Sequence, residues 1–196
     1  MAVEPTTLRG GRVRLEPLAL QHAQDLMKAA SRDEVWTYLD EPTPTSMDAI
    51  ESLIREALGE QGRGLRIPFA VILIEEEKAI GSISYINIER NHRALEIGWA
   101  WLDRTRWQEG IGRESAYLLM HYAFEELGAT RVVFKADARN ARSRKTIESL
   151  GAVHEGVFRN HRILRTGKPR DSAFYSLIKE DWQAIRSEAM TCIGAR

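Results

Sequence analysis

Gly110 and Gly112 close the stretch Trp101 to Gly112, WLDRTRWQEGIG, where an apolar run gives way to charged residues and then to an amphipathic segment. Two glycines at that spacing let the backbone come close to a ligand. The free N–H groups of a helix N-terminus can then face an anion with no Cβ atoms in the way. The chemistry on offer is phosphate binding, although Gly-x-Gly also serves as an ordinary tight turn before a helix. A P-loop requires Lys and Ser or Thr directly after its last glycine, and here Arg113 and Glu114 follow Gly112. A dinucleotide fingerprint requires a third glycine near 115, where Ser115 stands. A phosphate cradle here would therefore hold a different pyrophosphate.

The elements around this turn can be read from periodicity. Leu95, Ile97, Trp99 and Trp101 alternate with Glu96, Gly98, Ala100 and Leu102, as in a strand with one bulky and one slimmer face. After the glycines, Ala116, Leu119, Met120, Ala123, Phe124 and Leu127 recur at helical spacing up to Gly128, which predicts a left-handed cap. The order is strand, glycine turn, helix.

Composition bounds what the rest can be. With 196 residues, 43% hydrophobic and 29% charged, the chain is expected to form one globular domain over 1–196. No apolar run is long enough for a membrane span, and MAVEPTTLRGG lacks a basic-then-apolar leader profile, so a cytoplasmic location is expected. Cys192 stands alone and His22, His92, His121, His154 and His161 show no metal-ligand spacing, so no disulfide and no metal are expected. Lys plus Arg equals Asp plus Glu at 28 each, so no overall field draws the chain to nucleic acid or to a membrane.

Further strands are expected at 12–16, 67–74, 79–88, 93–102, 131–136, 153–164 and 171–179. Helices are expected at 20–30, at 36–39, after the cap Ser46, at 141–150 and from near Glu180, with MTCIGAR at the end as a frayed tail. The run Glu75 to Glu77 reads as a solvated hairpin turn.

This order, with Asn140-Ala-Arg-Ser143 leading to Ser149-Leu-Gly-Ala152, resembles the GNAT superfamily of N-acetyltransferases across nearly the whole chain. Glu96-Ile-Gly-Trp99, the Trp-x-x-Gly-x-Gly at 107–112, Asp171-x-x-x-Tyr175-Ser-Leu and Asp181-Trp182 resemble its RimJ and RimL branch, which acetylates ribosomal-protein N-termini. Trp107 departs from the superfamily's usual Gln or Arg. The resemblance implies a mixed α/β fold: a mostly antiparallel, strongly twisted sheet flanked by helices, with a splayed parallel pair holding acetyl-coenzyme A.

Coenzyme A carries a pyrophosphate and a separate ribose phosphate, so it needs a backbone cradle and nearby cations. The amides of Gln108, Glu109, Gly110, Ile111, Gly112 and Arg113 offer the first; Arg139, Arg142, Arg144 and Lys145 offer the second, a solvated helix face being the alternative. The resemblance implies that Asn140, also a helix cap, bonds the pantetheine arm. It also implies that the Ser143 hydroxyl lies near the sulfur, where it could protonate the thiolate, because Ile147 stands where much of the superfamily has Tyr. A protonated amine needs a base; Glu96 is the first choice, with a structural carboxylate as its rival and His161 in reserve. Strand amides near Trp101 and Leu102 would polarise the carbonyl if the strand splays there. Trp36, Tyr38 and Trp99 are candidate walls for the acceptor, with core packing as the alternative. The expected partner is an amine, on a protein N-terminus or a small molecule, and a homodimer is left open. A sensor or interaction module that binds acyl-coenzyme A with little turnover is the second reading.

Overall fold

The computed structural model describes Met1 and residues 3–194. The chain runs β1 (Leu8–Arg9), β2 (Val13–Pro17), a 3-10 turn (Leu20–His22), α1 (Ala23–Ala29), α2 (Asp33–Trp36), α3 (Met47–Gly62), β3 (Arg66–Leu73), β4 (Lys78–Glu89) and β5 (Ala94–Leu102). It continues through a 3-10 turn (Arg104–Arg106), α4 (Ile111–His121), a π-helical turn (Tyr122–Glu126), β6 (Arg131–Asp137), α5 (Ala141–Ser149), β7 (Val153–Ile163), β8 (Pro169–Ile178) and α6 (Lys179–Cys192). The eight strands form one sheet in the order β1-β2-β3-β4-β5-β6-β8-β7; β5 and β6 are its parallel pair and the other neighbours are antiparallel. This is the mixed α/β fold expected.

Alternation along the strands sorts the core onto two faces. Leu95, Ile97, Val132, Phe134, Tyr175 and Leu177 join one buried cluster with Tyr117 and Leu119 of α4, Ile147 of α5 and Trp182 and Ala189 of α6. Ala70, Ile72 and Ala79 join another with Leu26 of α1, Trp36 of α2 and Ile50, Ile54 and Ala57 of α3. Ser46 caps α3, its hydroxyl accepting from Ala49 N at 3.2 Å. Ile50 and Ile54 of α3 are buried, while Met47 at its head is exposed. Glu114, itself buried, accepts from the amides of Arg12 and Val13 at 2.8 and 3.2 Å and so ties α4 to the first hairpin.

Three expected boundaries change. The helix placed at 36–39 lies at Asp33–Trp36, where Asp33 and Glu34 sit in its first turn and interact favourably with the positive end of the helix dipole. The helix after the glycines does not run regularly to Leu127 but widens into the π turn before Gly128, which has φ 66°. MTCIGAR is no frayed tail as far as Gly194: α6 extends to Cys192, and Trp182, Ile185, Ala189 and Ile193 form a helical stripe against the core. Residues 195–196 lie outside the described part. No described helix is long and apolar enough to cross a membrane.

The sheet opens at one place. β5 pairs with β6 only from Ala94↔Arg131 to Ile97↔Phe134. Beyond it, pairing with β4 jumps from Ser84↔Gly98 to Ser82↔Trp101, three steps on β5 against two on β4, which is a β-bulge. Trp99 within it has φ 48°, a region bulky residues avoid. The approach also requires Gly81, since a Cβ there would lie 2.2 Å from the Trp101 carbonyl oxygen.

Candidate active site

A cavity of about 490 Å³ opens where β5 and β6 part. Glu96 to Leu102, the glycine turn, the end of β6, the start of α5 and the β7–β8 hairpin border it.

At one end the glycine turn is held in a conformation few residues adopt. Gln108 and Gly110 have φ 70° and 80°, and Gly110 is the N-cap of α4. Asp103 accepts from Thr105 N at 2.8 Å, and the Trp107 indole donates to Leu102 O at 3.0 Å, so Trp107 fastens the turn to the end of β5. The first bond returning from α4 runs from Glu114 N to Gly110 O at 3.0 Å. Among the described residues, the amides of Gln108 through Arg113 find no acceptor within the protein, which leaves six donors beside the cavity. A Cβ on Gly110 would meet nothing within 4 Å, and one on Gly112 only Leu102 Cδ1 at 3.5 Å. Internal packing therefore does not exclude a side chain at Gly112. A ligand on these amides would.

Cations stand beside the turn. The Arg104 and Arg142 guanidinium carbons lie 4.6 and 3.1 Å from the Trp107 ring centroid, and neither has a carboxylate within 4 Å among the described residues. Burial, and then Arg104, holds Arg142 below the usual arginine value. Arg106 is already engaged by Glu76, and the Arg113 side chain by Tyr117 and Glu188. Glu76 is thus a brace rather than part of a merely solvated turn. Asn140 caps α5 through Ser143 N at 3.0 Å, and Asn140, Ser143 and Ile147 line the cavity.

Not every expected site residue reaches it. Arg144 points away, its Nε donating to Tyr175 Oη at 2.9 Å and its NH1 to Ala138 O at 3.3 Å. Arg139 forks onto Asp137, and Lys145 does not line the cavity. Glu109 bonds Arg12 through its side chain and its carbonyl and does not line the cavity. Trp36 is core: its indole donates to Ala30 O at 2.8 Å and its ring lies 5.2 Å from that of Trp101. Tyr38 and Trp99 do line the cavity, with the Arg66 guanidinium 4.8 Å from the Trp99 ring. Arg104, which lies over Trp107 without itself lining the cavity, was not among the cations expected from the sequence.

The opposite end is built of side chains. Glu96, 5% exposed, pairs with Lys135 Nζ at 2.7 Å and accepts from Asn87 Nδ2 at 2.7 Å. Lys135 also lies over Phe174. His161 Nδ1 is 3.0 Å from Ser172 Oγ, and burial, followed by Lys135, Arg162 and Arg170, holds its pKa below the ordinary histidine value. Among the described residues no group of His, Cys, Asp and Glu could hold a metal ion.

The family model described as Acetyltransferase (GNAT) domain matches residues 12–153. The chain belongs to the GNAT acetyltransferase family. YdaF of Bacillus subtilis, named as a candidate ribosomal N-acetyltransferase, is 31% identical over 170 residues, 87% of each chain. The ribosomal-protein-serine acetyltransferase of Escherichia coli is 24% identical over 155 residues, 78% of this chain and 85% of that one. A GCN5-related N-acetyltransferase from Brucella melitensis superposes with a TM-score of 0.90 at 28% identity, over 96% of this chain and 86% of the other. The parted β5–β6 pair is therefore part of a GNAT acetyltransferase, an enzyme that transfers an acetyl group to an amine.

Proposed function

We propose that this GNAT protein takes an acetyl group from acetyl-coenzyme A and passes it directly to a primary amine, on a protein N-terminus or a small molecule. One observation carries the reading: the amides from Gln108 to Arg113 have no acceptor among the described residues, and of these residues all but Glu109 line the cavity where β5 and β6 separate. Such an array suits a pyrophosphate, and Gly112 leaves room for one. Arg142 and Arg104 stand ready for the ribose phosphate in place of Arg144. The eight-stranded sheet, running from Leu8 to Ile178, supports one acetyltransferase domain.

In this reading the Asn140 amide group holds the pantetheine arm and the Ser143 hydroxyl lies beside the sulfur. Asp103 N donates to Ile80 O on β4, so in an alternating strand the Leu102 amide points to the parted side, where it polarises the acetyl carbonyl. Glu96 accepts the amine proton, directly or through water, and Lys135 holds that carboxylate in place. Tyr38 and Trp99 wall the acceptor. The names of the two ribosomal relatives put ribosomal-protein N-termini among the acceptors to screen.

Calorimetric titration with acetyl-coenzyme A, with dephospho-coenzyme A as comparator, tests the cradle; thiol release with a panel of amines tests turnover. One-to-one binding weakened by loss of the ribose phosphate, followed by thiol release, is expected. Absence of binding overturns the reading. Binding with no release from any amine makes the chain an acyl-coenzyme A module, a reading favoured by Ile147 in a position where an acid would serve the thiolate.

A further inference from the structure

Arg162 and Arg170 face each other across the β7–β8 ladder, and both line the cavity. Two like charges directly opposite on neighbouring strands oppose pairing. A regular ladder would not put them there. From Phe158↔Ser172, two further steps would set Asn160 against Arg170; instead the register slips and Arg162 takes that place. The slip is built in: Asn160 has φ 49° and its amide donates to Asp171 Oδ1 at 2.7 Å. An irregularity of this kind re-aims a side chain beside a site.

The charge that results is only partly met locally. Arg170 is 13% exposed at its side chain, and its Nε is a buried donor with no hydrogen-bond partner. Asp137 lies 3.7 Å from that Nε but already accepts the fork of Arg139 at 2.9 and 2.8 Å. Asp40 is also near, and accepts from Arg165 N at 2.6 Å, which pins the hairpin against the loop after α2. Among the described residues no carboxylate lies within 4 Å of Arg162. Lys135 and Glu96 neutralise each other. Burial, which outweighs the opposing pull of Asp137 and Asp40, holds Arg170 below the usual arginine value, so these carboxylates return only part of the cost of its charge.

The pair is also on the side of the sheet away from the glycine turn. Asp137↔Ser172 and Lys135↔Phe174 are register partners, so Lys135, Asp137, Phe174, Ser172 and Arg170 share one face. The other face carries Phe134, Tyr175 and Leu177, which α4, α5 and α6 cover. Glu96 is on the face of Lys135, its ion-pair partner.

We propose that Arg162 and Arg170 anchor a carboxylate carried by the acceptor, so that this enzyme selects amines bearing a nearby carboxylate. The proposal rests on the acetyl-transfer reading and names its substrate class. Two arginines on one oxyanion provide charge-assisted hydrogen bonds and offset the repulsion across the ladder.

The test compares matched acceptors by thiol release with saturating acetyl-coenzyme A: serine against serinamide, and Ser-Glu-Ala-amide against Ser-Gln-Ala-amide. In at least one pair the acid is expected to be favoured in kcat/KM on the order of tenfold or more. The pair that responds tells a free amino acid from an acidic N-terminus. R162Q and R170Q should each bring the ratio toward one, R170K should keep part of it, and R162E should turn the preference toward Ser-Lys-Ala-amide. Ratios near one in the wild type, a preference that survives both Gln variants, or variants that raise only KM for acetyl-coenzyme A each overturn the proposal. A second arm needs no turnover: acetyl-Ser-Glu-Ala-amide and its Gln counterpart are titrated while the arginine Nε–H resonances are followed by NMR. Selective saturation by the acid, lost in the R162Q/R170Q double variant, sustains the anchor even if no thiol is released, in which case only the acetyl-transfer reading falls. Equal binding of both peptides overturns the anchor whatever the turnover.

Discussion

The glycine turn and the β7–β8 hairpin border the same cavity but are built from different materials. At the turn the open groups are backbone amides, fixed by φ values at Gln108 and Gly110 and by the hold of Trp107 on Leu102. At the hairpin they are side chains, placed by a register slip and by ion pairs that reach across the chain. A backbone array is indifferent to most substitutions and fails only when an atom is put in its way. A side-chain array depends on every member, because each charge is held by, or against, another. That difference suits a cavity in which one substrate is constant and the other is selected.

The largest effect expected is at the backbone array. Gly112→Val should cost on the order of hundredfold in KM for acetyl-coenzyme A. Its melting temperature should move little, because the added Cβ meets only Leu102 at ordinary contact distance. A large fall in melting temperature with KM unchanged would show that Gly112 serves packing instead.

Next comes Glu96, where base and ion pair must be told apart. Glu96→Gln leaves Lys135 without its partner and should lower both stability, by about 2 to 3 kcal/mol, and kcat, by about hundredfold. Adding Lys135→Met should restore most of the stability and none of the rate. Recovery of both would reduce Glu96 to a structural carboxylate.

Arg142→Ala should raise KM for acetyl-coenzyme A by about tenfold and leave KM for acetyl-dephospho-coenzyme A almost unchanged. Arg144→Ala, whose side chain serves Tyr175, should not distinguish the two cofactors.

The smallest effect concerns pH. A histidine held below its ordinary value stays neutral in the fold more readily than in the unfolded chain, which then binds more protons as pH falls. Its contribution to stability is present above about pH 6.5 and is lost as pH drops through the lower folded value. Thermal melts from pH 7.5 to 5 should therefore show His161→Gln losing less stability than the parent. Parallel curves would mean that neither burial nor the neighbouring Lys135, Arg162 and Arg170 depress this ring.

Much of the fold could be read in one dimension because its cues are local: alternation in β5, the caps Ser46 and Asn140, and the left-handed stops Gly128 and Gly151. The glycine turn was readable for the same reason, since six amides of one continuous segment need no distant partner. Trp36 and Arg144 went astray because a residue's type does not say which way it faces. One indole bonds Ala30 and one guanidinium bonds Tyr175, and neither partner is marked in the letters. The C-terminal stripe ending at Ile193 was missed because its spacing gains meaning only from the sheet it covers.

By itself, then, the sequence determined where the chain turns, most of its strands and helices, and that a glycine turn precedes α4, because each depends on residues within a few positions of one another. Only the tertiary structure decided that β5 and β6 part after Ile97 and that Glu96 is tied to Lys135, 39 positions away in the chain. It also decided that a slip in one ladder sets Arg162 against Arg170. The physical reason is that register and long-range charge pairing are properties of two segments at once, set by how the whole sheet closes over its two cores.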